Sequence, residues 1–274
     1  MKKVLAAIAA IGIIAGGVLA LVARFVLPFR PRVNHQAIVL PRNHANLAGL
    51  RIAFVSDTHV GPTFTATNLR AIVADLRRER PDILLLGGDY VSQSPYFIDE
   101  IAPVIAEMTA TPRFGTWAVV GNHDLSNVRS RVERMLEEAG AEVLVNRAVA
   151  VETDRGPLWL AGIDDLLLGS PDPAAAFAEV PADAACICLW HEPDAAEEAA
   201  VYAPFLMLSG HTHGGQVSLP AIGPLALPKA GKRFASGRFT IGDMTLFVSN
   251  GVGLYRPPVR LGCPPEVVML HLVA

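Results

Sequence analysis

Five short apolar runs in this chain each lead into a polar cluster that contains Asp, Asn or His. Runs of four or five apolar residues bounded by Gly and polar residues are typical of buried strands. Because amphipathic stretches separate the first three runs, the pattern predicts an α/β fold with helices outside central sheets. The five clusters are Asp57-Thr58-His59, Gly88-Asp89, Gly121-Asn122-His123-Asp124, His191-Glu192 and Gly210-His211-Thr212-His213.

The spacing of apolar residues predicts alternating strands and helices over the first part of the chain. We expect strands at 51–55, 83–86, 117–120, 158–161, 186–190 and 205–208, and helices at 68–80, 98–108 and 128–139. Beyond His213 the helical pattern ends, and we expect only the strands 217–219, 244–249 and 267–272. This second part indicates mixed rather than purely parallel sheets.

Residues 4–23 form a run of 20 residues without a charge, made only of Val, Leu, Ala, Ile and Gly. At about 1.5 Å per helical residue the run spans about 30 Å, the thickness of the hydrocarbon core of a bilayer. We therefore predict a single-pass anchor in the cell membrane over residues 1–26. A cleaved signal sequence is the alternative, although its apolar region usually has about 7–15 residues. Basic residues flank both ends of the run, so the side on which the rest of the chain lies stays open.

The composition of the chain is that of a folded protein. With 51% hydrophobic residues, 18% charged residues and a net charge of −3, it excludes a disordered chain and gives no basic surface for nucleic acid. Cys186, Cys188 and Cys263 have neither the spacing of a metal motif nor that of a disulfide framework, so we expect buried thiols. We predict a proline-punctuated connector over 27–48 and one domain over 49–274.

The side chains of the five clusters are those that bind transition metals. Imidazole, carboxylate and amide groups together suit Zn, Fe or Mn, and not Ca alone. They outnumber the ligands of one tetrahedral zinc, which indicates two ions that share a carboxylate. Residues i and i+2 of an extended segment face the same way, so Asp57 and His59 are expected to point into one cleft. The same spacing applies to His211 and His213.

In this order, the five clusters resemble those of the calcineurin-like metallophosphoesterase superfamily. The similarity runs from about residue 51 to residue 273, and together with the apolar run it resembles a membrane-associated bacterial branch. The resemblance implies a four-layer α/β/β/α sandwich with a dinuclear metal centre and with His123 beside the metals, not as a ligand. His123 would then stabilise the transition state or protonate the leaving group. Asp124 would orient His123, with a cap of the following turn as the alternative. The ligands that the resemblance implies are Asp57, His59, Asp89 and His213 for one ion, and Asp89, Asn122, His191 and His211 for the other.

The resemblance also implies a hydrolase that uses two divalent ions, with Mn, Fe or Zn the expected metals. A hydroxide shared by the ions would attack phosphorus in a phosphodiester or a pyrophosphate. The predicted anchor indicates a small-molecule or lipid phosphoester close to a membrane, and some anchored members of the superfamily cleave UDP-2,3-diacylglucosamine in lipid A synthesis. An inactive metal-binding scaffold is the alternative from another class, because some members have lost activity. The sequence indicates no oligomeric state.

Two further groups of charged residues lie outside the ligand set. Arg233, Arg256 and Arg260 are candidates for contacts with a substrate phosphate, with solvated cations as the alternative. Asp164 and Asp165 follow a predicted strand and are expected to form a turn, with a position in the cleft as the alternative.

Overall fold

Two six-stranded β-sheets face each other at the centre of the structure, and helices cover the outer face of each. The computed structural model describes residues 1–92, 94–126 and 129–274. Its helices are α1 (Lys2–Phe25), α2 (Ala66–Glu79), α3 (Tyr96–Thr109), α4 (Asn122–Leu125), α5 (Arg129–Glu138), α6 (Pro173–Phe177) and α7 (Ala196–Ala200). Its strands are β1 (Arg32–Val39), β2 (Arg51–Val55), β3 (Ile83–Leu86), β4 (Thr116–Ala118), β5 (Ala141–Val143), β6 (Arg147–Thr153), β7 (Gly156–Gly162), β8 (Cys186–Leu189), β9 (Leu206–Ser209), β10 (Ser218–Leu219), β11 (Gly223–Pro224), β12 (Gly237–Ile241), β13 (Met244–Val248) and β14 (Glu266–Val273).

Both large sheets mix parallel and antiparallel strands. The first has the order β1-β14-β2-β3-β4-β5, and the second has the order β12-β13-β9-β8-β7-β6. In the first sheet β2 to β5 run parallel, and β14 is antiparallel to β2. In the second sheet β7, β8, β9 and β13 run parallel, with β6 and β12 antiparallel at the edges. The mixed character that the sequence predicts is therefore confirmed, and β10 and β11 form a separate hairpin.

Alternate side chains of each strand pack into different layers. On β2, Phe54 points into the core between the two sheets, whereas Val55 packs against α2, α3 and α5. On β8, Ile187 points into the same central core, whereas Cys188 packs with α6 and α7. Because a strand places successive side chains on opposite faces, both sheets are buried on both sides. The result is the predicted four-layer α/β/β/α sandwich.

The predicted elements agree best with the structure where the apolar pattern is strong. β2 and β3 coincide with the strands predicted at 51–55 and 83–86. The helices predicted at 68–80 and 98–108 correspond to α2 and α3, within two residues at each end. The helix predicted at 128–139 corresponds to α5, and its first predicted residue, Val128, lies outside the described residues. The three cysteines are buried and free, as expected.

Residues 27–48 differ from the predicted connector. All eight residues of β1 pair with β14 at the edge of the first sheet, from Arg32 opposite Glu266 to Val39 opposite Val273. Only Ile38 of this strand is buried, so the strand lacks the apolar pattern by which a sequence reveals it. The connector prediction is therefore wrong for Arg32–Val39, while the domain boundary at residues 48 and 49 stays a prediction.

Helix α1 has the length and composition of a membrane span. Its 24 residues belong to the apolar segment Lys2–Phe29, which has a mean hydropathy of 2.6 over its most apolar window, with none of that window buried. In the part of the chain that the structure describes, it is the one helix with these properties. A helix that is apolar on all sides, and of whose most apolar window no residue is buried, is suited to lipid rather than to water.

Candidate metal centre

The five polar clusters meet at one edge of the sandwich. They follow β2, β3, β4, β8 and β9, whose carboxyl ends lie together because these strands run parallel within each sheet. Open α/β sheets form their ligand sites at such carboxyl ends. Asn122 and His123 are half-buried there. The fully buried side chains are Asp57, His59, Asp89, His191, His211 and His213.

Asp89 lies at the centre of the site. Its Oδ2 atom is 3.4 Å from Nε2 of His59 and 3.2 Å from Nε2 of His191. The Oδ1 atom of Asp57 is 3.6 Å from Nε2 of His213 and 3.9 Å from Nε2 of His191. The two carboxylates are therefore linked through the ring of His191, and each contacts a second histidine.

Three groups of donor atoms are compact enough to hold a metal ion, with all donor atoms of a group within 4.8 Å of one another. The groups are Asp57 with His59 and His213, Asp89 with His191 and His211, and His59 with Asp89 and His123. Asn122 adds an amide oxygen beside them, because its buried Oδ1 atom lies at the same strand ends. All seven residues predicted as ligands are thus brought together.

Several buried donor atoms of the site lack a hydrogen-bond partner among the residues that the structure describes. They are Asp57 Oδ2, His59 Nδ1, Asn122 Oδ1 and His191 Nε2. A buried polar atom without a partner costs about 1–3 kcal/mol, and folded proteins contain few of them. Imidazole nitrogens with carboxylate and amide oxygens are ligands that suit Mn, Fe and Zn. The residues present therefore fit divalent metal ions.

Backbone carbonyls fix the orientation of two histidine rings. Nδ1 of His191 lies 2.6 Å from the carbonyl oxygen of Gly87, and Nε2 of His211 lies 2.8 Å from that of Lys229. A carbonyl oxygen only accepts hydrogen bonds, so each of these nitrogens must carry the proton. When such a ring is neutral, its other nitrogen carries no proton, as metal binding requires.

The backbone at the site adopts a conformation that is unusual for residues other than glycine. The φ angles are 54° at Asp57, 42° at His59, 57° at Asp89, 68° at His211 and 53° at His213. Positive φ angles at such residues cost about 1–3 kcal/mol each and are concentrated at functional sites. The pairs Asp57/His59 and His211/His213 do converge, but through these left-handed turns and not through the extended segments that we predicted.

Close backbone approach at the site depends on glycine. A Cβ atom at Gly210 would collide with the carboxylate of Asp57, and one at Gly121 would collide with that of Asp89. Neither glycine has a positive φ angle, so the space and not the backbone conformation excludes a side chain. These two glycines allow the loops of the two sheets to approach each other closely enough for the donor atoms to converge.

Burial controls the protonation of the ligand residues. It raises the pKa of Asp57 to about 6, and it lowers the pKa of His59 to about 3 and that of His211 to about 4. Burial alone would also lower the pKa of His191, but the Asp89 and Asp57 carboxylates raise it well above its usual value. His59 and His211 are therefore neutral at pH 7, which is the form that binds a metal.

Asp124 has a different role from the one that we predicted. Its carboxylate is fully buried and accepts hydrogen bonds from the backbone N–H groups of Asp89 (2.7 Å), Tyr90 (2.8 Å) and Gly121 (3.0 Å). Burial, together with the charge of Asp89, raises the pKa of Asp124 to about 7. The carboxylate is committed to these backbone donors and forms no hydrogen bond with the His123 ring, so orientation of that ring by Asp124 is contradicted.

His123 is held instead by its backbone and by ring contacts. The backbone N–H of His123 donates to Oδ1 of Asp89 at 2.8 Å. Its ring centroid is 4.9 Å from that of His59 and 4.8 Å from that of Tyr255. These residues line a cleft of about 280 Å³, which also contacts Asn122 and which we call the metal cleft. No pattern in the sequence indicated Tyr255, because it lies in a loop far from all five clusters.

Arg260 is not available to a substrate phosphate. It is fully buried, and its guanidinium donates to the backbone carbonyls of Asn250, Gly251, Gly253 and Cys263. Its Nη2 atom also lies 3.3 Å from Nδ1 of His213. Burial lowers the pKa of Arg260 to about 10, so it remains charged at pH 7. Its predicted contact with phosphate is therefore wrong, and it supports the loop behind His213 instead.

The structure also shows the contacts of the other charged candidates outside the predicted ligand set. Arg233 is exposed and forms an ion pair with Glu197 at 2.9 Å, so it corresponds to the solvated cation of our alternative. Asp164 and Asp165 form the expected turn: Asp164 accepts from the backbone of Ser170 at 2.9 Å, and Asp165 accepts from Leu167 at 3.0 Å. Arg256 lines a second cavity beside the metal cleft.

Comparison with known proteins identifies the family. A family model described as calcineurin-like phosphoesterase matches residues 50–215, which include all the ligand residues. The chain belongs to this family. Membership of this family, together with the donor groups described above, makes the chain a metal-dependent phosphoesterase, a hydrolase that uses divalent metal ions.

Several relatives resemble the chain over most of its length. The uncharacterized metallophosphoesterase YkuE of Bacillus subtilis is 29% identical over 99% of this chain and 96% of its own length. The phosphodiesterase YaeI of Escherichia coli is 34% identical over 83% of this chain and 84% of its own length. A transmembrane protein with a metallophosphoesterase domain from Danio rerio is 31% identical over 88% of this chain and 57% of its own length.

Proposed function

We propose that this chain is a membrane-anchored phosphoesterase that uses two divalent ions to hydrolyse a phosphodiester or a pyrophosphate. One observation carries the proposal: two compact groups of donor atoms adjoin each other, and buried donor atoms in both lack hydrogen-bond partners among the described residues. Two bound cations would lower the pKa of a water molecule and neutralise charge on the phosphoryl oxygens. The similarity to a phosphodiesterase of Escherichia coli supports a diester substrate.

The two donor groups support the following assignment of ligands. Asp57, His59 and His213 would hold one ion, and His191, His211 and Asn122 would hold the other. Asp89 would contribute to both, because its carboxylate lies 3.4 Å from His59 and 3.2 Å from His191. A carboxylate shared in this way is the usual link between paired ions roughly 3.5–4 Å apart.

His123 would act on the leaving group. Its half-buried ring lies at the metal cleft, and its backbone N–H is bound to Oδ1 of Asp89, so the ring stays beside the reacting phosphate. Water would form the new bond to phosphorus and lose a proton to solvent, the bond to the leaving oxygen would break, and His123 would give a proton to that oxygen. Because His123 also belongs to one of the donor groups, its role has to be separated from metal binding by experiment.

The anchor supports a location at a membrane. The apolar surface of α1 includes Ile13, which is 76% exposed, and Ile11 and Ile14, which are 66% exposed. Burying this surface in lipid removes it from water, which stabilises the inserted state. We expect the full chain to stay in the membrane fraction after extraction at alkaline pH. Release of the intact chain into the supernatant would contradict the anchor.

A hydrolysis screen tests the reaction. The full chain in detergent would be incubated with Mn²⁺ and with phosphomonoesters, bis-p-nitrophenyl phosphate, phospholipids and nucleotide-sugar pyrophosphates, including UDP-2,3-diacylglucosamine. We expect hydrolysis of a diester or a pyrophosphate that Asp89→Ala abolishes. Asp99→Ala is the matched control, because the Asp99 side chain is 83% exposed on α3. Tight binding of Mn²⁺, Fe²⁺ or Zn²⁺ without turnover of any of these substrates would favour a scaffold and refute the proposal.

A further inference from the structure

A second cavity of about 270 Å³ adjoins the metal cleft. The two cavities share His59 and Tyr255 as walls, so the second lies directly beside the proposed site of the phosphate. We call it the anchor cavity and define it by its apolar walls Phe64, Phe97, Leu254 and Pro258 together with Thr63, Ser94 and Arg256. Its size lies near the lower end of the range for small-molecule sites, so it would hold part of a substrate and not a whole one.

The end of α1 and the residues just after it contact the segments that form the walls of this cavity. The backbone N–H of Arg260, a few residues from Pro258, donates to the carbonyl of Ala23 in α1 at 2.9 Å. Beyond the helix, the ring of Phe29 stacks on that of Phe64 with the centroids 6.3 Å apart. The chain therefore leaves the membrane beside the anchor cavity, not at a distance from it.

Segments that contact the cavity walls carry exposed apolar and aromatic side chains. Tyr96 is 69% exposed, and its ring contacts that of Phe97 in the cavity wall at 5.4 Å between centroids. Val217 pairs with Leu261 and directly precedes the β10–β11 hairpin. Ile222 in the turn of this hairpin is 71% exposed. Tyrosine and small apolar clusters of this kind favour the boundary between water and lipid.

The geometry points to an amphiphilic substrate: the anchor cavity binds the apolar tail of a phosphate-bearing lipid that is taken from the membrane in which α1 is inserted. The substrate phosphate would lie in the metal cleft, and its tail would extend past Tyr255 between Phe64 and Phe97. The exposed guanidinium of Arg256 would contact an anionic headgroup at the cavity wall. This inference rests on the proposed function, because the tail has a role only if the metal cleft cleaves a phosphoester.

The dependence of kcat/KM on the length of the substrate's alkyl chain measures directly whether the cavity binds a tail. Burial of one methylene group raises the affinity for a ligand about fourfold. A long tail that buries three more methylene groups than a short one therefore binds about 60-fold more tightly. Two diesters with the same leaving group, p-nitrophenyl ethyl phosphate and p-nitrophenyl octyl phosphate, differ only in this tail. We expect kcat/KM of the full chain with Mn²⁺ to be at least about 50-fold higher for the octyl ester.

Filling the cavity should remove this preference. Thr63 lines the anchor cavity, and Thr63→Trp would occupy the space of the tail. Thr67→Trp is the matched control, because Thr67 is exposed on α2 outside the cavity. Ser94→Trp fills the same cavity from the segment before α3. It serves as a second variant in case Thr63→Trp disturbs the local fold. We expect both cavity variants to lower the octyl-to-ethyl ratio at least tenfold and the control to keep the wild-type ratio.

The outcomes separate the two proposals. A ratio near one in the wild type, with turnover of both esters, would overturn the inference about the tail and leave the proposed phosphodiesterase standing; a water-soluble phosphoester would then be the substrate. A high ratio that both cavity variants retain, or an equal loss of both esters in those variants, would also overturn it. No turnover of either ester with any divalent ion would refute the proposed function itself.

Discussion

Removal of the Asp124 carboxylate should weaken both the fold and the binding of metal. Three buried backbone N–H groups, those of Asp89, Tyr90 and Gly121, donate to this carboxylate. In Asp124→Ala they lose their acceptor, and each buried donor left in this way costs about 1 kcal/mol or more. The loss of about 3 kcal/mol corresponds to a decrease in Tm of about 6–12 °C for a chain of this size.

The effect on metal binding follows from the backbone of Asp89. Its φ angle of 57° is unfavourable for an aspartate by about 1–3 kcal/mol, and the bond from its N–H to Asp124 at 2.7 Å holds it there. Without this bond Asp89 can relax, which moves the carboxylate that both proposed ions share. Because about 1.4 kcal/mol corresponds to a tenfold change, we expect the Kd for Mn²⁺ to rise at least about tenfold.

Calorimetry measures both quantities on the full chain in detergent. Scanning calorimetry of the metal-free protein gives the Tm, and titration with Mn²⁺ gives the Kd. The matched control is Asp172→Ala, which removes an exposed helix cap that accepts from the N–H of Ala175 at 3.0 Å and should cost about 1 kcal/mol. Its Mn²⁺ affinity should stay at the wild-type value. If Asp124→Ala loses turnover but keeps its Mn²⁺ affinity, the carboxylate acts on His123 and our interpretation is refuted.

Three further predictions concern the same site. His123→Ala should keep both ions and lower kcat about 10²- to 10⁴-fold, because it removes a proton donor and not a ligand; equal loss of bound metal would identify His123 as a ligand instead. Gly210→Ala should weaken Mn²⁺ binding at least about tenfold, because its methyl group would collide with the Asp57 carboxylate, whereas Gly17→Ala, with open space around it, should leave binding unchanged. Addition of Mn²⁺ at 100 times its Kd to chelator-treated protein should stabilise it by about 2.7 kcal/mol and raise the Tm by about 5–11 °C, and an unchanged Tm would show that the buried donors do not hold the ion.

The central strands could be predicted because their apolar runs are continuous. β2 and β3 are buried on both faces, and apart from the half-buried Arg51 at the start of β2 every residue of each is apolar, so the pattern predicted their bounds. β1 could not be predicted in this way, because an edge strand with one buried residue, Ile38, has no such pattern. Its pairing with β14 joins residues about 234 positions apart, and a pattern within a short stretch of sequence cannot reveal such a pairing.

The convergence of the predicted ligand residues was predictable for a related reason. Asp57, Asp89 and His191 each follow a buried strand, and the carboxyl ends of parallel strands meet at one edge of a sheet. Their precise approach was not predictable, because it depends on left-handed backbone at ligand residues and on the absence of a side chain at Gly210. The role of Asp124 was also misjudged, since its neighbour in the sequence is His123 but its hydrogen-bond donors include Asp89 and Tyr90 from another loop.

The sequence by itself determined the α/β class, the long apolar run of α1 and the chemistry of the donor groups, because these properties reside in residue types and their local spacing. The tertiary structure decided which groups share a space. It buried Arg260 among backbone carbonyls, brought Tyr255 against His123, and placed the end of α1 near a cavity that adjoins the metal cleft. These contacts join segments that are distant in the chain, and only the packing of the two sheets brings such segments together.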